Sequence, residues 1–163
     1  MRGKSHMRIT KKQPQYRLCL LLFAAYALLM LWLLFGQRAD RLGGEYTSAV
    51  LRAHINLLPG RTIAEFWHDL RGGARVWAII QLFGNVIMFV PLGLFIPAVF
   101  PRAAAFWRTV LWSAVTVLSI ELIQLFTLLG SLDIDDLILN LLGAAIGYAL
   151  YRLLRRALEQ EIK

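Results

Sequence analysis

This sequence is poor in the residues that usually signal chemistry in water. It has one cysteine, Cys19, set in an apolar run, which excludes an intramolecular disulfide and a thiolate metal cluster. His54 and His68 lack metal-ligand spacing and read as interfacial side chains. No nucleophile–base signature, internal repeat or low-complexity linker is present. Charged residues make up only 17%, and the acids number ten against eighteen Lys and Arg. No small-x-small cleavage site follows the first apolar run, and that run is too long for an ordinary signal-peptide core, so it reads as a retained membrane helix.

What is present is hydrocarbon. Of 163 residues, enough for one domain, 58% are apolar, and the mean hydropathy is +0.58, above a soluble globular composition. The formal charge of +8 would suggest nucleic acid in a soluble chain. Here the cations flank apolar runs, so membrane lipids with anionic headgroups are the expected partner and nucleic acid is not.

Four segments reach membrane length at about 1.5 Å per residue across a core of about 30 Å. They are Leu18–Phe35, Trp77–Phe100, Trp107–Leu129 and Asp136–Leu154. Pro91 and Pro97 predict that the second kinks or ends early near its far end. The short Gly130–Leu132 connection predicts an antiparallel hairpin of the third and fourth. Residues 1–16 read as a basic N-terminal segment (1–6 as an expression scar, with Met7 the natural start). Residues 17–154 read as a single four-helix transmembrane domain and 155–163 as a charged tail.

The expected fold class is therefore all-α, a polytopic membrane protein with four transmembrane helices. Lys and Arg counts orient it. Twelve lie in the N-terminus, the second connection and the C-terminus; six (Arg38, Arg41, Arg52, Arg61, Arg71 and Arg75) lie in the first connection. Both termini are expected in the cytoplasm and Gly36–Val76 outside. In that external loop Thr62–Glu65 has a capping-box pattern, and Ile63, Phe66, Trp67 and Leu70 recur at helical spacing. A short amphipathic interfacial helix is expected there, after a turn or dip at Asn56–Gly60.

The polar residues inside the spans carry the functional argument. On a helix, Asp133, Asp136, Asn140, Gly143 and Gly147 fall within a stripe roughly 80° wide. Gln81 and Asn85 share one face of the second span, Glu121 and Gln124 one face of the third. Asn85 lies about 12 Å, and Glu121 about 13 Å, from the same membrane face by helical rise. Either protonation state of a mid-membrane acid needs partners, since a charge there costs at least about 2.5–3.5 kcal/mol. One polar pocket is expected, roofed by the Arg-containing loop.

Plainer readings stand beside this one. Asn85 and Gln124 fit as interhelical hydrogen-bond glue, and Gly143 with Gly147 as close packing. Asp133 or Asp135 fits as a cap of the fourth helix. Arg152, Arg155 and Arg156 fit as a lipid anchor. Glu121 with Asp136 is the pair hardest to read as structural.

Four ordered motifs resemble the VanZ-like family of bacterial membrane proteins. They are N-L-L-P at Asn56–Pro59, G-N-x-x-x-F-x-P-L-G at Gly84–Gly93, I-E-L-I-Q at Ile120–Gln124 and D-I-D-D-x-x-x-N-x-x-G-x-x-x-G-Y at Asp133–Tyr148. Leu129–Leu132 stands where that family often carries a basic residue and an aromatic. The resemblance implies a multi-pass protein of the bacterial cytoplasmic membrane, in a family named for a member linked to teicoplanin-type glycopeptide resistance. It implies no settled reaction.

Three functional classes follow. In a binding or resistance protein, Asn56, Arg61, Asn85, Gln124, Asp133, Asp136 and Asn140 would engage an anionic envelope component, a lipid-linked cell-wall precursor or the glycopeptide antibiotic. Arg61, Arg71 and Arg75 would then offer bidentate contacts. In an intramembrane enzyme on a lipid-linked substrate, Glu121 would be the acid or base, and Asp133, Asp136 and Asn140 would hold a divalent cation through oxygen. A proton- or cation-coupled carrier would need a homodimer, with Gly143 and Gly147 at the contact.

Overall fold

The computed structural model describes residues 14–36, 46–71 and 75–161. The basic positions Arg2–Lys12, Arg38, Arg41 and Lys163 lie outside the described residues, as do the side chains of Leu70, Arg71, Arg75 and Trp77. The fold is all-α: helices α1 (Pro14–Leu34), α2 (Ser48–Ala53), α3 (Arg61–Arg71), α4 (Arg75–Val99), α5 (Phe106–Thr127) and α6 (Ile134–Glu161). A 3₁₀ turn at Pro101–Ala103 joins α4 to α5. Four helices, Pro14–Leu34, Ile79–Val99, Phe106–Thr127 and Ile134–Gln160, are long and apolar enough to cross a bilayer. These match the four expected segments.

Helix α4 runs through both prolines to Val99 instead of ending early. Each proline removes one backbone donor, a loss that packed neighbours and local adjustment absorb in membrane helices. Pro97 itself is fully buried.

Helices α4 and α6 form the central seam, and three glycines make it possible. A Cβ on Gly93 would lie 1.8 Å from the Ala144 carbonyl oxygen; on Gly143, 2.1 Å from that of Val86; on Gly147, 1.9 Å from that of Val90. No side chain fits at those distances, so the backbones touch directly. The glycine face that a homodimer would need is thus occupied by α4 of the same chain.

Helix α5 turns back along α6. Leu128 takes a left-handed conformation (φ 56°), and the amides of Leu129 and Gly130 donate to the Gln124 carbonyl at 3.0 and 3.3 Å. Helix α1 packs on α4 through Phe23, Tyr26 and Phe95, with ring centroids 5.8–6.4 Å apart.

The first connection is more ordered than a turn or dip. Strand β1 (Ile55–Asn56) pairs in parallel with β2 (Leu132–Asp133), matching Ile55 to Leu132 and Asn56 to Asp133. The Leu132 amide also donates to the His54 carbonyl at 2.8 Å. This two-residue bridge pins the loop bearing α2 and α3 onto the start of α6. Ile63 and Phe66 of α3 turn inward, and Trp67 stays exposed.

Candidate functional site

Three acids in four residues, Asp133, Asp135 and Asp136, open α6, and two of them build the roof of the site. Asp133 is the N-cap: its Oδ1 accepts from the Asp135 amide at 2.8 Å. Its Oδ2 accepts from the Thr62 hydroxyl at 2.5 Å and from Asn56 Nδ2 at 3.1 Å. Asn56 Nδ2 also donates to the Thr62 hydroxyl oxygen at 2.9 Å. Asp133 is 7% exposed and its two oxygens already serve three donors, so it acts as a clamp between α6 and the loop.

Asp135 is fully buried and caps a helix other than its own. Its Oδ1 accepts from the Gly60 amide at 2.7 Å, and its Oδ2 from those of Thr62 and Ile63 at 2.8 and 3.2 Å. These are the orphan donors at the start of α3, where a carboxylate also meets the positive end of the helix dipole. Gly60, at φ +85°, makes the turn that presents them. The expected capping box is therefore not formed. Thr62 turns to Asp133, and Glu65 pairs with Arg61 at 3.2 Å on the exposed face. The expectation that Asp135 caps α6 is likewise corrected to α3, seventy-odd residues away in sequence.

Beneath this roof lies a polar cavity of about 240 Å³ among α4, α5 and α6. Asn85, Glu121, Gln124, Asp133, Asp136 and Asn140 all line it, as do Gln81 and Thr62. Asn85 Nδ2 donates to Asp136 Oδ1 at 2.5 Å, joining α4 to α6. Glu121 is 4% exposed, and its Oε2 accepts from the Asp133 amide at 3.4 Å. Gln124 Nε2 donates to the Leu34 carbonyl at 3.2 Å, tying α5 to the end of α1. The depth calculation thus brings its residues together. Arg61 and Asn56 sit in the roof, Arg61 facing outward.

Asn140 differs from the rest. It is 4% exposed, and its Oδ1 has no hydrogen-bond partner among the described residues. A buried carbonyl left unmatched costs about 1–3 kcal/mol, so such groups are rare and call for a reason. Among the described residues no three or more His, Cys, Asp or Glu side chains form a metal-holding group. With Asp133 committed to three donors, the oxygen set envisaged for a divalent cation shrinks to Asp136 and Asn140. Sequence spacing gives Thr62 and Asp135 local capping roles because their partners lie far away in the chain.

A bundle of four membrane-crossing helices, with a buried polar cavity under a short roofing helix, defines a small multi-pass membrane protein. The VanZ/LLP1 family model matches residues 23–155, and the chain belongs to that family. Protein VanZ of Enterococcus faecium is 32% identical over 81 residues, which cover 50% of this chain and 50% of that protein. The chain thus matches about half the length of that curated relative. No solved structure matches it.

Proposed function

We propose that this protein contributes to teicoplanin-type glycopeptide resistance, or to envelope homeostasis, by holding a polar group of an envelope molecule or of the antibiotic in the cavity. It would do so in the bacterial cytoplasmic membrane, with α3 on the outer side and both termini inside. The observation that carries this reading is the orphaned Asn140 carbonyl beside the Asp136 and Glu121 carboxyls.

Those three groups offer acceptors, so the cavity suits a ligand that donates: a hydroxyl, an amide N–H or an ammonium. An anionic group would meet carboxylates there. On the loop side Arg52 and Arg61 are exposed and suit attraction of an anionic envelope surface. Arg61 already shares its guanidinium with Glu65, which weakens a dedicated bidentate role. The carrier reading loses support because the glycine seam is used within the chain.

The test compares Glu121→Gln with Glu121→Leu in expressing cells challenged with teicoplanin-type glycopeptides. Gln keeps the shape and most hydrogen bonds. The expected result is that Gln preserves the protein's level in the membrane and abolishes its effect on susceptibility. An unchanged effect in Gln at normal protein level would overturn the proposal. Loss of the protein in both variants would assign Glu121 to folding.

A further inference from the structure

A second and larger space, about 620 Å³, runs as a groove between α1, α4 and α5. Its size lies within the range of small-molecule sites, roughly 300–1,000 Å³. From Phe89 to Phe100 it follows α4 for about 16 Å by helical rise. Its floor is apolar: Phe89, Leu92 and Ile96 are each buried in the helix bundle. Two hydroxyls line it, both already spent on backbone, and Arg102, itself exposed, stands at the end far from the cavity. Tyr26 donates to the Met88 carbonyl at 2.9 Å and Thr116 to that of Trp112 at 2.9 Å. An occupant of this groove needs few hydrogen bonds and much hydrocarbon.

Two features and one exclusion say what that occupant is. Leu34, Phe89 and Ile120 line both the groove and the polar cavity, so the two spaces adjoin. The exposed rim residues Leu31 and Trp112 belong to membrane-crossing helices, so the groove opens sideways into the hydrocarbon. A helix from a second copy seated there would set apolar side chains against the acceptor cluster at the cavity end. A chain with a polar end would leave each part in matching surroundings.

We infer that the groove holds one hydrocarbon chain of a membrane amphiphile whose polar end reaches the cavity, an assignment that rests on the ligand-binding reading of that cavity. The substrate class is then a lipid entering from within the bilayer. A ligand arriving from water would have to pass the roof.

The experiment reconstitutes the full chain in phosphatidylethanolamine and phosphatidylglycerol vesicles doped with a lipid bearing a diazirine near its acyl terminus. Photolabelled residues are mapped by mass spectrometry. Adducts are expected on Leu92 and Ile96 at roughly ten times the level on Leu139, which is similarly buried but outside the groove, a preference worth about 1.4 kcal/mol. Ala27→Trp, which fills the groove, should suppress those adducts and spare the exposed Leu21.

Labelling of Leu92 and Ile96 no higher than Leu139 would overturn the assignment, and this needs only the wild-type chain. Copy-to-copy cross-linking through the groove would overturn it in favour of a dimer. Displacement of the lipid adducts by an acylated glycopeptide would reassign the groove to the antibiotic. If acyl adducts stand while Glu121→Gln leaves susceptibility unchanged, the polar-cavity reading fails and the chain site remains. The converse pattern removes the chain site alone.

Discussion

Asp135 and Asp136 are neighbours in sequence, yet they do opposite things. Asp135 is fully buried and spends both oxygens on three backbone amides at the start of α3. Asp136 lines the polar cavity and accepts there from Asn85. One carboxylate is matched to the fold that surrounds it. The other shares its space with a carbonyl, that of Asn140, which has no partner among the described residues. Charge inside a membrane domain therefore has two separable meanings, and partner geometry tells them apart.

The sharpest way to break this contrast is Asp135→Ala. It strands three partly buried amides at once and removes the cap of α3, so a loss of about 2–3 kcal/mol is expected. Denaturation of the purified protein should show it, and hydrogen exchange should quicken first at the amides of Gly60, Thr62 and Ile63. A variant as stable as wild type would mean that α3 is held by its apolar face alone. Thr62→Val is the next step down. It removes the hydroxyl between Asn56 and Asp133 while keeping the shape, with an expected loss of about 1–2 kcal/mol. Thr62→Ser should restore most of it in the same melting assay.

How far these roles could be read from the sequence follows from how local their signals are. Four spans show themselves by length and hydropathy. The cavity residues can be aligned because helical rise converts sequence position into depth. Gly143 and Gly147 signal a close seam through their spacing, although only the fold says that α4 fills it. A roofing loop is legible in the sequence, but the bridge that pins it is not. A two-residue parallel bridge between Ile55–Asn56 and Leu132–Asp133 has no periodicity, and its partners are far apart along the chain. The pattern Thr62–Glu65 suggested a local capping box, but an acid from α6 captured the same donors. The groove is equally hidden, because α1 is apolar on every side and no face of it announces a partner.

Asp136→Asn tests the other half of the contrast. An amide keeps an acceptor for Asn85, so stability should shift by no more than about 1 kcal/mol. The Asp136 carboxyl is lost from the cavity, and the effect on glycopeptide susceptibility should go with it. A variant that keeps full function would place Asp136 with Asp135, as part of the frame.

The smallest expected change in stability is also the most telling. Asn140→Leu replaces a buried, unmatched carbonyl with an apolar group of similar size. Removing an unsatisfied acceptor is neutral or stabilising, by up to about 1 kcal/mol. A residue kept for packing should therefore tolerate the exchange with function intact. A residue kept for a ligand should yield a protein that melts no lower than wild type and has lost its effect in cells. Melting and susceptibility measured on this one variant decide the matter. A clear drop in stability would show that Asn140 already has its partner within the fold, and the cavity would then belong with the roof above it.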